Sequence, residues 1–268
     1  MNVESGSKYL FENDVIQFES FVDSFSDKNF QEFDSIAKKN KLTKKIDALM
    51  SGKIVNDTEN QAVLHPMYRS YQDGQEFPKH LLDAQKNAEK FFNDHLNAFK
   101  VKGISDINII SLGIGGSYEG PKLLLESLNS PMGYQKSGPD KINYAFITGS
   151  DISEFEHKTK SLNPRSTLFI VSSKSFTTCE TIECLRKAFD WCKDKNRFIA
   201  ITANPKEAKK HGIENVISFD KEIGGRYSIW SPIIQYHLCN KDAKNFAQGG
   251  YQADVDIRDN EEYIKFIK

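Results

Sequence analysis

Two textures of apolar spacing divide the chain. Up to about residue 102, β-branched runs are absent and apolar residues recur at helical intervals. Leu81, Leu82, Ala84, Ala88, Phe91, Phe92, Leu96 and Phe99 fall on one face of a helix that Pro78 opens. This pattern predicts an all-helical first third, in which NDTENQAVLH at 56–65 reads as a polar connector followed by a short apolar stretch. After Gly103 the pattern changes to short, nearly continuous apolar runs at 107–112, 142–148, 167–173, 197–203 and 215–219, most of them separated by enough residues for a helix. Such strands bury both faces, which a parallel sheet covered by helices on each side requires. The fold class is therefore read as α/β, a doubly wound parallel sheet preceded by an N-terminal helical segment. The expected boundaries are 1–102 for the helical segment, 103–245 for the α/β domain and 246–268 for the start of a further connection.

Composition narrows the partners. The 268 residues are 38% hydrophobic, and 36 Lys and Arg stand against 37 Asp and Glu, giving a formal net charge of −1. No basic excess points to nucleic acid or an anionic membrane. Glu4 and Lys8 interrupt a polar N-terminus that holds no apolar run long enough for a signal peptide or membrane span, so the chain is read as cytoplasmic. Cys179, Cys184, Cys192 and Cys239 include no Cys-x-x-Cys pair, and the histidines include no His-x-x-x-His pair. Free thiols and no metal are expected.

Ligands of open α/β sheets bind beyond the carboxyl ends of the strands. Three loops there hold candidate chemistry. In Gly113-Ile114-Gly115-Gly116-Ser117, glycines let backbone amides at a helix start approach an anion, Ser117 adds a hydroxyl, and Pro121 is expected in the first turn. A dinucleotide fingerprint needs glycine at Tyr118, and a Walker A loop needs Lys-Ser or Lys-Thr where Pro121-Lys122 stands, so neither nucleotide reading holds. In Ser173-Lys174-Ser175-Phe176-Thr177-Thr178, Thr177 and Glu180 have the spacing of a capping box. Capping uses one hydroxyl and leaves Ser173, Ser175, Thr178 and Lys174 for phosphate oxygens. The third loop, Gly224-Gly225-Arg226, precedes an expected helix over 227–239 carrying Trp230, Ile233, Ile234 and Leu238. Its guanidinium stays ionised and can face charge on a reacting oxygen.

Taken in order, SLGIGGSYEGP at 111–121, LNPRSTLFIVSSKSFTTCET at 162–181 and IGGRYSIWSP at 223–232 resemble the signatures of the phosphoglucose isomerase family. NDTENQAVLH and FAQGGYQADVDI at 246–257 extend the resemblance toward both ends. It implies a sugar isomerase-type domain that interconverts glucose 6-phosphate and fructose 6-phosphate through an enediolate, in glycolysis and gluconeogenesis and without a cofactor. Gly116, Ser117, Ser173, Lys174, Ser175, Thr177 and Thr178 are then expected to grip the phosphate. Gly225 and Arg226 are expected beside the reacting carbons, Arg226 stabilising the enediolate. A homodimer is implied for the full-length protein.

Aldose–ketose isomerisation also needs a base and a ring-opening acid. In the family the base is a glutamate on a later segment, so these 268 residues are expected to be a truncated chain, inactive alone. Glu222 and His211 lie near the loops but outside the matching motifs and are given no catalytic role. Cys179 stands where the family has glutamine, and Gly149 where it has asparagine. The alternative reading is a non-catalytic module that binds a sugar phosphate for regulation.

Overall fold

The computed structural model describes residues 9–12, 17–21, 27–70, 79–128, 141–151, 153–234 and 236–259. Contacts group the chain into two compact units, one of residues 1–67 with 249–268 and the other of residues 68–248. In the first, β1 (Tyr9–Glu12) pairs antiparallel with β2 (Gln17–Ser20), followed by α1 (Asp27–Lys39) and α2 (Leu42–Met50). β3 (Ile54–Asn56) then pairs antiparallel with β4 (Gln61–Ala62), and α3 (His65–Tyr68) follows. The all-helical expectation for the first third is thus corrected by two short hairpins. The polar stretch taken for a connector makes the second one turn: Asn56 Oδ1 accepts from Thr58 Oγ1 at 2.7 Å and from Glu59 N at 3.3 Å, and Asn60 takes the left-handed backbone at φ 48°.

The second unit contains α4 (Lys79–Val101). Ala84, Ala88, Phe91, Phe92 and Phe99 are buried along its face and Leu82 and Leu96 are half-buried, as their spacing predicts. Pro78 and the Leu81 side chain lie outside the described residues.

The five apolar runs form β5 (Asp106–Leu112), β6 (Lys141–Ile147), β7 (Thr167–Ser172), β8 (Phe198–Thr202) and β9 (Asn215–Ser218), all parallel, in the order β6-β5-β7-β8-β9. Between them run α5 (Gly116–Leu128), α6 (Glu154–Thr159), α7 (Cys179–Cys192) and α8 (Pro205–Lys210). β7 is buried along its whole length, and the rings of Phe169 and Phe198 stack across β7 and β8 at 4.5 Å. Leu112 of β5 pairs with Ile147 on one side and Val171 on the other. From β5 the chain moves first outward to β6 and then back to β7 on the opposite side, so the order reverses between β5 and β7. A crevice opens at the carboxyl ends of strands where this happens.

Two expected helices change form. Pro121 sits inside α5, past the first turn, where its ring nitrogen cannot bond the Ser117 carbonyl. The single helix expected over 227–239 is instead two 3-10 turns, Gly225–Trp230 and Pro232–Ile234, followed by α9 (Tyr236–Asp259). Pro232 is the cause: the residue before a proline is driven to extended backbone, and Ser231 lies at φ −108°, ψ 176°. Ile233 and Ile234 are buried, and Trp230 stacks on Phe246 at 4.6 Å; the Leu238 side chain lies outside those described.

Candidate functional site

A cavity of about 570 Å³ opens beyond the carboxyl ends of β5, β7 and β8. Gly116, Ser117, Ser173, Lys174, Ser175, Thr178 and Gly225 line it, so loops far apart in sequence share one space. Thr177 and Arg226 do not line it; both are exposed and directly adjoin lining residues.

The first loop is shaped by close approach. A Cβ on Gly113 would come within 2.9 Å of both Ser117 Cβ and the Ser172 carbonyl oxygen. On Gly116 it would overlap the carbonyl oxygen of Gly225. Only glycine lets these two backbones meet. Ser228 sits at the seam, its hydroxyl 3.0 Å from the Gly116 carbonyl and 2.7 Å from the Gly225 carbonyl.

The second loop hangs on Phe176. That residue holds a left-handed backbone at φ 56°, a strained state for a bulky side chain, and its ring is fully buried in the core. Around it, Phe176 N donates to Ser173 Oγ at 3.2 Å, Ser173 Oγ pairs with Thr178 Oγ1 at 3.3 Å, and Thr177 Oγ1 donates to Ser175 Oγ at 2.8 Å. The neighbouring strand end holds the loop from outside. Ala203 N and Thr202 Oγ1 donate to the Lys174 carbonyl at 3.0 and 3.1 Å, and Asn204 Nδ2 donates to the Ser175 carbonyl at 3.2 Å.

The capping box expected from Thr177 and Glu180 does not form. Cys179 is the first residue of α7, Thr178 is its N-cap, and no side chain bonds the first-turn amides. The Thr177 hydroxyl is turned to Ser175 instead. A helix start without a side-chain cap presents amide donors and a positive dipole end, which suits an anion. Among the described residues, the ionisable members of the lining are Lys174 and Lys221 and none is a carboxylate or imidazole, so its field favours negative charge. Glu222 and His211 stand off the lining; Glu222 lies 3.9 Å from Lys221 Nζ, and His211 lies 3.8 Å from Glu207.

Several lining residues escaped the sequence reading: Ser172, Thr181, Asn204, Lys221 and Ser228. Asn204-Pro205 did carry a signal, since Asn before Pro at a helix start is an N-cap signature, and Asn204 Oδ1 accepts from Glu207 N at 3.3 Å. Elsewhere, burial pushes the Cys184 and Cys192 thiols up, which keeps both protonated, while Cys179 is exposed. Among the described residues, no cluster of three His, Cys, Asp or Glu side chains is placed to hold a metal ion, and no helix is long and apolar enough to cross a membrane.

The phosphoglucose isomerase family model matches residues 22–260. A glucose-6-phosphate isomerase of Shewanella denitrificans is 37% identical over 245 residues, covering 84% of this chain and 44% of its own length. That of Wigglesworthia glossinidia brevipalpis is 34% identical, covering 92% of this chain and 50% of its own. The chain thus spans half or less of the length of these relatives. In fold, it is similar to the crystal structure of a glucose-6-phosphate isomerase from Chlamydia trachomatis, with a TM-score of 0.66 and 20% identity over 90% of this chain and 48% of that one.

Proposed function

This chain belongs to the phosphoglucose isomerase family, and we propose that its strand-end cavity holds the phosphate of glucose 6-phosphate and fructose 6-phosphate, which the whole protein interconverts. In this reading the amides at the starts of α5 and α7, the hydroxyls of Ser117, Ser173, Ser175 and Thr178, and the charge of Lys174 hold the phosphate dianion, with Thr177 supporting it through its hydrogen bond to Ser175 Oγ. The sugar extends toward Gly225, whose lack of a side chain lets C1 and C2 lie close to the backbone. Arg226 swings its long side chain over them and faces the oxygen that gains charge as the enediolate forms. Only a proton moves between the two carbons, so the step needs no redox cofactor.

The proton needs a base. None of the described lining residues is a carboxylate or imidazole, and we assign that role to a group outside this lining. The homodimer that the resemblance implies and the cytoplasmic setting read from the sequence belong to the same proposal.

What carries the reading is the convergence on one cavity of three loops whose ionisable lining is cationic alone. Calorimetry of the folded 268-residue chain with fructose 6-phosphate tests it, alongside NMR detection of solvent deuterium at C1 and C2. Micromolar binding without exchange is expected. A folded chain that does not bind overturns the reading, and exchange at ordinary enzyme rates overturns the assignment of the base.

A further inference from the structure

Ser172 and Thr181 are almost completely buried, at 0% and 1% exposure. Among the described residues their hydroxyl oxygens have no hydrogen-bond partner, and both residues line the cavity. Elsewhere in the chain comparable hydroxyls are paired. On a helix, the buried Thr159 donates to the Phe155 carbonyl four residues back, at 2.7 Å. At the end of the neighbouring strand, the equally buried Thr202 donates to the Lys174 carbonyl. An unpaired buried hydroxyl costs its full desolvation. Here that cost falls twice, on residues of one cavity wall, and each adjoins the phosphate loop: Ser172 directly precedes Ser173, while Thr181 lies three residues beyond Thr178 on the same face of the helix start.

We propose that Ser172 and Thr181 are further phosphate-contacting residues, forming a second row of hydroxyls behind that of 173–178 and taking their partners from the phosphate oxygens of the bound sugar phosphate. This rests on the phosphosugar reading above. Each hydroxyl turns on χ1 between staggered wells, and a helical threonine has two wells open to it, so each oxygen re-aims without backbone movement. An ionised acceptor makes such bonds stronger than neutral ones.

Ser172→Ala and Thr181→Val remove each hydroxyl and leave the shape nearly unchanged; Thr181→Ser keeps the hydroxyl. Affinity for fructose 6-phosphate and for inorganic phosphate is measured by calorimetry, and the thermal midpoint is measured without ligand. Each deletion is expected to weaken both ligands roughly tenfold, Thr181→Ser to retain affinity, and the unliganded midpoint to stay level or rise because an unpaired buried group is gone. Binding by the deletion variants within twofold of the unmutated chain overturns the inference while leaving the phosphosugar reading intact. A loss confined to fructose 6-phosphate places the contact on the sugar and also overturns it. A lowered unliganded midpoint with unchanged affinity shows purely structural hydroxyls. If the folded, unmutated chain binds neither ligand, the phosphosugar reading fails and this inference with it.

Discussion

The two ends of the parallel sheet hold cavities of similar size, about 570 Å³ at the carboxyl end and about 610 Å³ at the amino end. Their polar groups differ. At the amino end side chains close on one another: Asn143 Nδ2 donates to Asp106 Oδ1 at 2.7 Å and to Asn108 Oδ1 at 3.1 Å, and Asn108 Nδ2 reaches Thr167 Oγ1 at 3.4 Å. Thr167 Oγ1 in turn donates to the Asn163 carbonyl at 2.8 Å, and the Asn163 side chain caps the short 3-10 turn Pro164–Ser166. At the carboxyl end two buried hydroxyls are unpaired, and the start of α7 has no side-chain cap. Volume does not separate the two cavities; satisfaction does. A satisfied network stabilises the fold, whereas open donors stabilise whatever anion arrives.

The harshest way to break this contrast is Gly116→Ala. The added methyl meets a backbone carbonyl that cannot give way, so we expect a cost of about 2 kcal/mol or more together with loss of detectable fructose 6-phosphate binding. Urea melts and calorimetry read the two effects, and retained binding refutes the close-approach account. Asn108→Ala sharpens the contrast from the other end. It removes the hydrogen bonds of Asn108 with Asn143 and Thr167 from this network, at a cost of about 1–3 kcal/mol, while affinity at the far end stays within about twofold because distant sites act independently. A matching affinity loss breaks the division.

The smallest effect concerns Glu154. Burial pushes its carboxyl up, but Lys158, the Gly149 and Thr148 amides and the Thr148 hydroxyl together hold it below the usual range. A depressed folded-state pKa means stabilisation that is present above the unfolded value of about 4.3 and lost as pH falls through the folded value. Glu154→Gln is therefore expected to lower the thermal midpoint at pH 7 by a few degrees, and the gap to the unmutated chain to shrink as pH falls below the unfolded value. An undiminished gap in acid refutes the ionic account.

The sheet was the most legible part of the molecule because buried parallel strands write themselves as continuous apolar runs; the five expected runs lie within a residue or two of the observed strands. Local signals served less well where one residue decided the geometry. Pro232 split an amphipathic pattern by acting on Ser231. The shift of the α7 start from Thr177 to Thr178 as N-cap undid a capping box whose spacing was correct. Gly116, Ser117, Ser173, Lys174, Ser175, Thr178 and Gly225, which line the cavity, were readable as loop chemistry after strands. Ser172 and Thr181 were not, because in sequence a buried strand-end serine and a first-turn threonine look the same whether or not they find partners; only packing reveals the difference.

The seam made by Ser228 also bears on how the protein comes into being. Its hydroxyl reaches back to Gly116, 112 positions earlier in the chain. A growing polypeptide releases β5 and its glycine loop long before that hydroxyl exists, and closing so long a loop costs entropy before any contact rewards it. The anion seat is therefore expected to assemble late, after the intervening strands have paired. A ligand that needs the finished seat selects completed chains over partly folded ones, and by mass action draws the population toward them as they emerge.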